Sequence, residues 1–184
     1  PKPLAAFSLS DTAGCGPKPI FFSNTSSTKN AQPFSSLKHL WRFGDGSTDT
    51  SASPSHTFLP NAKKDTFYHP QLRVTSIKGC KDSVSKSVRV YPRPTIQFTP
   101  DKLDGCALLN VNFNNQSVPN DTGSIAIMSF NWNSGNGLTS TSRNFNATYN
   151  ASLNGDTVYK VRLIGSTEHG CLDTLVKNIT VHPN

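Results

Sequence analysis

The residues with the clearest chemical potential are an aspartate between two glycines and a set of four cysteines. Asp45 follows Gly44 and precedes Gly46 in the run from Trp41 to Gly46. Glycine supplies backbone angles that other residues avoid, so an acidic residue in this setting either presents a ligand or closes a tight turn. Two hypotheses follow. Asp45 and Asp49 form a calcium site, or the Asp45 carboxylate accepts backbone N–H groups within a turn.

An internal repeat bears on this choice. Shifting the sequence by 91 residues without a gap aligns the characteristic residues of the first half with those of the second, for example Trp41 with Trp132 (132 − 41 = 91). The same shift pairs Cys15 with Cys106 and Cys80 with Cys171. A fixed period of this kind indicates repeated domains. We therefore predict two copies of one domain, residues 1–91 and 92–184, joined by a proline-rich and hence stiff junction.

The second copy has Trp132, Gly135 and Gly137 at the matching positions, but Asn136 where the first has Asp45. An amide oxygen still accepts a backbone hydrogen bond, whereas a calcium ligand would lose its charge by this exchange. The turn is therefore the favoured interpretation, and no cofactor is predicted apart from the weaker calcium hypothesis.

Both tryptophans are expected to fill the core of a sandwich rather than to form a sugar-binding platform. Better platform candidates are the other aromatic residues Phe34, Phe67, Tyr68 and Tyr91.

The remaining composition favours β-structure. Charged residues make up only 16% of the chain, and turn signals separate short apolar stretches. The predicted strands of the first copy are Leu4–Ser10, Ile20–Asn24, Leu40–Phe43, Ser55–Phe58, Tyr68–Ser76 and Ser83–Val90; those of the second are Thr95–Thr99, Val111–Asn115, Ser129–Asn133, Asn146–Asn150, Tyr159–Ser166 and Thr174–Val181. These short strands, close in number to the seven of an immunoglobulin fold, surround one tryptophan in each copy and predict an all-β chain of two tandem immunoglobulin-like β-sandwiches.

The stretch from Trp41 to Gly46, with Ser53–Phe58 downstream, resembles the PKD domain, whose pattern is Trp-Asp-Phe-Gly-Asp-Gly followed by Pro-x-His-x-Tyr. Arg42 and Phe58 replace the usual Asp and Tyr, and the second copy also lacks the His, since Ala147 stands where His56 does. The resemblance implies that His56 makes a structural hydrogen bond. It also implies a shared structural motif, which comprises Trp41, Gly44, Asp45, Gly46, His56, Trp132, Gly135, Asn136 and Gly137.

The Gly-Cys pairs look like the variant of this domain found in large surface proteins of Bacteroidetes. The resemblance implies a secreted or surface-anchored bacterial protein, exported by the type IX system and active in adhesion or gliding motility. Other PKD domains lie beside catalytic domains of secreted enzymes.

Two cysteines per copy at matched positions indicate disulfides in an exported protein. The intradomain pairs would be Cys15–Cys80 and Cys106–Cys171. In a sandwich, however, the loops that carry them lie at opposite ends, about 17–20 Å apart, which exceeds the roughly 7 Å that a disulfide spans. An interdomain Cys15–Cys171 bridge, with Cys80 and Cys106 left for neighbouring repeats, is the alternative, and free thiols are the third.

No catalytic constellation is visible, so no enzymatic activity is predicted. The net charge is +7, but Lys and Arg are scattered along the sequence, which argues against nucleic-acid binding, and no apolar run is long enough to span a membrane. The predicted function is a structural spacer and adhesion module outside the cell. Its partners would be neighbouring repeats, a surface polysaccharide or another surface protein. The alternative is a carbohydrate-binding accessory module of a secreted hydrolase.

Overall fold

The computed structural model describes residues 2–28, 37–121, 127–153 and 155–184. All regular elements in these ranges are β-strands. The chain divides into two compact units, Pro1–Pro92 and Arg93–Asn184. Each unit has its own buried apolar core, so the chain is a pair of immunoglobulin-like β-sandwiches.

The first unit contains twelve short strands in its described residues. They are β1 (Pro3–Leu4), β2 (Phe7–Leu9), β3 (Ala13–Cys15), β4 (Lys18–Asn24), β5 (Ser27–Thr28), β6 (Lys38–Arg42), β7 (Thr48–Asp49), β8 (Ser55–Phe58), β9 (Thr66–Tyr68), β10 (Gln71–Thr75), β11 (Lys81–Ser85) and β12 (Val88–Tyr91). The largest sheet has the order β11-β10-β6-β7 and is antiparallel. Smaller sheets follow the orders β2-β4-β8, β3-β12-β9 and β1-β5.

The second unit contains eight strands in its described residues. They are β13 (Phe98–Pro100), β14 (Asp104–Cys106), β15 (Leu109–Asn115), β16 (Ser129–Asn133), β17 (Thr139–Ser140), β18 (Phe145–Tyr149), β19 (Thr157–Ser166) and β20 (Leu172–His182). They form a three-stranded sheet, β13-β15-β18, and a five-stranded sheet, β14-β20-β19-β16-β17.

Alternation of apolar and polar residues places one face of each sheet in the core. In β4, Ile20 and Phe22 are buried while Phe21 between them is exposed. Trp41 lies at the centre of the first core, with its ring centroid 5.1 Å from that of Phe7 and 5.2 Å from that of Phe22. Aromatic pairs at this separation add to the stability gained from burial alone.

The second core repeats this arrangement with homologous residues. Trp132 is fully buried and its ring centroid lies 5.1 Å from that of Phe98 and 5.8 Å from that of Phe113. Each tryptophan also donates its indole N–H to a backbone carbonyl ten residues later, Trp41 to Ser51 and Trp132 to Ser142, both at 3.0 Å. The core position predicted for both tryptophans is the one observed.

Three predicted strands of the first unit are each two strands in the structure. The predicted strand Leu4–Ser10 is interrupted because the amides of Ala5 and Ala6 bond to the side chains of Asp82 and Ser26 instead of to a neighbouring strand. The predicted strand Tyr68–Ser76 is interrupted at Pro70, which has no N–H to donate to a sheet.

The third, Ser83–Val90, breaks between β11 and β12, which belong to different sheets. In the second unit Val161 occupies the position of Pro70, and β19 and β20 run without interruption for ten and eleven residues.

Candidate functional site: the glycine-flanked turns and the cysteines

The first glycine-flanked turn connects β6 to β7. Gly44 and Gly46 have φ angles of 91° and 94°, which L-residues with a side chain rarely adopt. Asp45 points back into the turn, and its Oδ1 accepts hydrogen bonds from the Ser47 amide at 2.9 Å and from the Ser47 hydroxyl at 2.5 Å. The structure thus places the Asp45 carboxylate in an internal turn contact.

His56 completes the contacts of this carboxylate. Its Nε2 lies 2.7 Å from Asp45 Oδ2, and since a carboxylate only accepts, the histidine nitrogen donates. The imidazole ring stacks on Phe43 with centroids 4.1 Å apart and planes 5° apart. Partial burial of the Asp45 carboxyl opposes ionisation, but the bonds from Ser47 and His56 prevail and lower its pKa to about 2.

A serine, a histidine and an aspartate in contact raise the question of a catalytic triad. In a triad, one ring nitrogen faces the acid and the other accepts the serine proton. Here Ser47 Oγ and Asp45 Oδ2 both face His56 Nε2, at 3.5 and 2.7 Å, and Ser47 donates to Asp45. His56 Nε2 would have to accept the serine proton, but it already bears the proton that it donates to Asp45. We therefore interpret this arrangement as a structural hydrogen-bond network.

The second turn reaches the same shape with different chemistry. Gly135 and Gly137 have φ angles of 80° and 97°. Asn136 Oδ1 accepts from the Leu138 amide at 3.3 Å and from the Ser134 hydroxyl, while its Nδ2 donates to the Thr148 carbonyl at 2.8 Å. The Thr148 contact takes the place of the histidine contact of the first turn.

The two carboxylates of the calcium hypothesis are each engaged locally. Asp49 Oδ1 accepts from the Ser51 amide at 2.5 Å, and this bond holds the pKa of the Asp49 carboxyl below its ordinary value. Within the described ranges, no group of three or more His, Cys, Asp or Glu residues could hold a metal ion. Calcium binding by Asp45 and Asp49 stays a prediction, which a calcium titration of thermal stability tests.

The aromatic platform candidates differ in their surroundings. Phe34 lies outside the described residues. Phe67 is 57% exposed, and the Arg89 guanidinium lies 5.2 Å from the centroid of its ring and 4.9 Å from that of Tyr91. Tyr68 is half-buried and donates its hydroxyl to the Leu59 carbonyl at 2.5 Å, so it anchors the backbone.

The tyrosine anchor recurs in the second unit, where the Tyr159 hydroxyl donates to the Asn150 carbonyl at 2.6 Å. Both bonds join a tyrosine to the residue nine positions before it. Sequence reasoning missed this role, although the 91-residue shift that pairs Tyr68 with Tyr159 was a signal of it.

The four cysteines fall into two chemical states. Cys15 and Cys171 are disulfide-bonded. Cys80 and Cys106 are free and exposed. The intradomain pairs Cys15–Cys80 and Cys106–Cys171 each require one of these free cysteines, so neither pair forms in this structure.

The described part of the chain has no helix that is both long and apolar enough to cross a membrane.

A family model identifies the class of domain. The model of the PKD domain matches residues 1–92, half of the 184-residue chain. The chain therefore belongs to the PKD domain family, as the glycine-flanked motif predicted. Domains of this family are generally non-catalytic and typically extracellular, and a disulfide fits an extracellular location.

The PKD1 domain of the Vibrio cholerae metalloprotease PrtV is 30% identical, covers 49% of this chain and 98% of its own, and has a TM-score of 0.40. The PKD1 domain of Vibrio anguillarum Epp is 24% identical, with coverages of 49% and 94% and a TM-score of 0.39. Fibronectin(III)-like modules of Clostridium thermocellum CbhA are 16% identical, with coverages of 97% and 94% and a TM-score of 0.41. Comparison with curated proteins gives no match.

Proposed function

We propose that this chain is a non-enzymatic module of a large secreted or cell-surface bacterial protein, in which it serves as a structural spacer and takes part in adhesion. The observation that carries the proposal is the state of the cysteines. Cys15 and Cys171 are disulfide-bonded, and such bonds persist in oxidising compartments outside the cytoplasm. The membership in a family of typically extracellular domains supports the same location.

The proposed mechanism is mechanical. Each unit has an independent aromatic core, so load on one copy is borne by its own packed sheets. We propose that the disulfide joins Cys15 to Cys171 and so ties the two copies covalently. The free state of Cys80 and Cys106 supports this pairing, because they are the remaining cysteines of the chain.

The same pairing rule extends to neighbouring repeats. It joins the first cysteine of one copy to the second cysteine of the copy that follows. Cys106 would then pair with a cysteine of a following repeat, and Cys80 with one of a preceding repeat. Both thiols are exposed, which such pairing requires.

Thiol labelling of intact cells that produce the protein tests the proposed location. If Cys80 and Cys106 are not paired with other repeats, a membrane-impermeant maleimide should label them directly. If they are paired, the maleimide should label them after mild reduction outside the cell. A C80S/C106S variant is the control and should lose the label that those thiols carry. Labelling that appears only after the cells are lysed would contradict a surface location.

The carbohydrate-binding accessory module is a second candidate because Phe67 is more than half exposed. Retention on insoluble chitin or cellulose that is lost in an F67A variant would favour this function. No retention of the wild-type protein on either polysaccharide would favour the spacer.

A further inference from the structure

Outward-facing cations gather on the largest sheet of the first unit. Lys38 and Arg42 lie on β6, Arg73 on the adjacent β10 and Lys81 on β11 beyond it. The strand register pairs Lys38 with Thr75 and Thr75 with Lys81, and it pairs Arg42 with Gln71, two residues from Arg73. All four share one face, because side chains two residues apart on a strand, and those paired across strands, point the same way.

We call this set of four residues, Lys38, Arg42, Arg73 and Lys81, the cationic face. From a rise of about 3.3 Å per residue and a strand spacing of about 4.8 Å, it measures roughly 13 Å along β6 and 10 Å across the strands. In the described ranges, none of the four lies within ion-pair distance of a carboxylate. Arg73 Nε is buried, and no described residue is a hydrogen-bond partner for it. Neighbouring cations without counter-charges repel each other, and a bound anion would relieve that repulsion.

The second unit shows that the fold does not require these cations. At the four equivalent positions it has Ser129, Asn133, Ile164 and Leu172, in strands with the same pairing. Each copy of the domain thus has its own sheet with this pairing, but only the first copy has the cationic face. A structural role for the four charges would be expected in both copies, so the difference points to binding.

The neighbouring side chains indicate the kind of anion. The other outward residues of β10 and β11 are hydroxyl or amide residues, namely Gln71, Thr75, Ser83 and Ser85. They are suited to the hydroxyl groups of sugars. No aromatic residue occupies an outward position on β6, β10 or β11, so a platform for stacking nucleic-acid bases is missing from these strands.

We propose that the cationic face binds an anionic polysaccharide, one that carries carboxylate or sulfate groups along its chain. This inference does not depend on the spacer role or on the disulfide pairing. It supplies a ligand class for the adhesive part of the proposed function, through electrostatic attraction that weakens as salt is added.

Two matched variants of the full chain test the proposal. K38Q/R42Q/K81Q removes two lysines and one arginine from the cationic face and leaves the half-buried Arg73 in place. K63Q/K64Q/R143Q removes the same number of each residue type from exposed positions elsewhere. Both variants lower the formal net charge from +7 to +4 (7 − 3), so a difference between them reports position rather than total charge.

Binding to heparin and to polygalacturonate is measured at low salt and over a salt series, with neutral dextran and duplex DNA in parallel. We expect wild-type protein and K63Q/K64Q/R143Q to bind both acidic polysaccharides within about twofold of each other, and K38Q/R42Q/K81Q to bind at least about fivefold more weakly. Dextran should not bind.

Equal weakening in the two variants, or no binding by the wild type, would overturn the proposal. So would tighter binding to DNA than to either polysaccharide, since it would assign the face to nucleic acid. The indole N–H signals of Trp41 and Trp132 check that each unit of a variant is folded. If the triple variant unfolds, K38Q and K81Q singly should each weaken binding about twofold, and affinities unchanged from wild type would count against the proposal.

Discussion

Asp45 and Asn136 both accept the backbone amide two residues later, but their other partners differ, and this difference can be measured. Asp45 accepts from Ser47 and His56, whereas Asn136 accepts from Ser134 and Leu138 and also donates to Thr148. The asparagine therefore uses its N–H₂ group, which a carboxylate lacks. Each residue is matched to its own surroundings.

The Asp45 carboxylate should make the first unit sensitive to acid. Its pKa is about 2 in the folded chain against an ordinary value of 3.8. A depressed folded pKa contributes stability above pH 3.8, and this contribution is lost as the pH falls towards 2. For a partly exposed group we expect about 1 kcal/mol after screening by solvent.

We predict that D45N loses this contribution, so that its stability difference from wild type disappears as the pH falls from 5 to about 2. Urea denaturation at each pH, monitored through the indole signal of Trp41, measures this stability difference. The reciprocal change N136D should destabilise the second unit at neutral pH by about 1–2 kcal/mol, because a carboxylate would face the Thr148 carbonyl. A constant D45N effect across this pH range would contradict the assignment.

Tyr149 offers a stabilising substitution. It is fully buried, its hydroxyl has no hydrogen-bond partner among the described residues, and burial raises the pKa of that hydroxyl. The first copy has Phe58 at the equivalent position, also fully buried. We predict that Y149F raises the free energy of unfolding of the second unit by about 1 kcal/mol and that F58Y lowers that of the first by a similar amount. Denaturation of both variants measures this, and a destabilised Y149F would mean that the hydroxyl has a partner.

At the scale of the strands, local sequence predicted the positions of several strands but not the sheet that each strand joins. Ser55–Phe58 and Ser129–Asn133 were predicted to the residue. The three interrupted strands of the first unit could not be predicted in this way, because the interruptions depend on which sheet each half joins. The break at Pro70 did have a local signal in the missing N–H.

The turn between β16 and β17 gives a prediction at this scale. A Cβ atom at Gly135 would lie 2.8 Å from the Lys160 carbonyl oxygen on β19, whereas one at Gly137 would meet nothing within 4 Å. We predict that G137A costs about 1 kcal/mol from its positive φ alone, and that G135A costs roughly 2–4 kcal/mol because strand β19 must also move. Thermal denaturation of the two variants measures which of them loses more stability. Equal losses of stability would show that the turn shifts away from β19 without penalty.

For the whole molecule, the glycine-flanked motif indicated the family, and the short strands indicated the all-β fold class. The internal repeat indicated the two copies of one domain and the equivalence of the two turns. It could not predict the cationic face, since Lys38 and Lys81 are 43 positions apart (81 − 38) and meet only through the sheet order. The repeat alone did not decide among the cysteine pairings, but the interdomain alternative, which bonds Cys15 and leaves its equivalent Cys106 free, agrees with the states observed.

The state of these cysteines is also the most direct test of the proposed extracellular module. The purified protein would be alkylated without reduction, digested and mapped by mass spectrometry. We predict one cross-linked peptide that contains Cys15 and Cys171, together with alkylated Cys80 and Cys106 wherever no other repeat is present. A Cys15–Cys80 or Cys106–Cys171 linkage, or four alkylated thiols in protein taken from its native location, would contradict it.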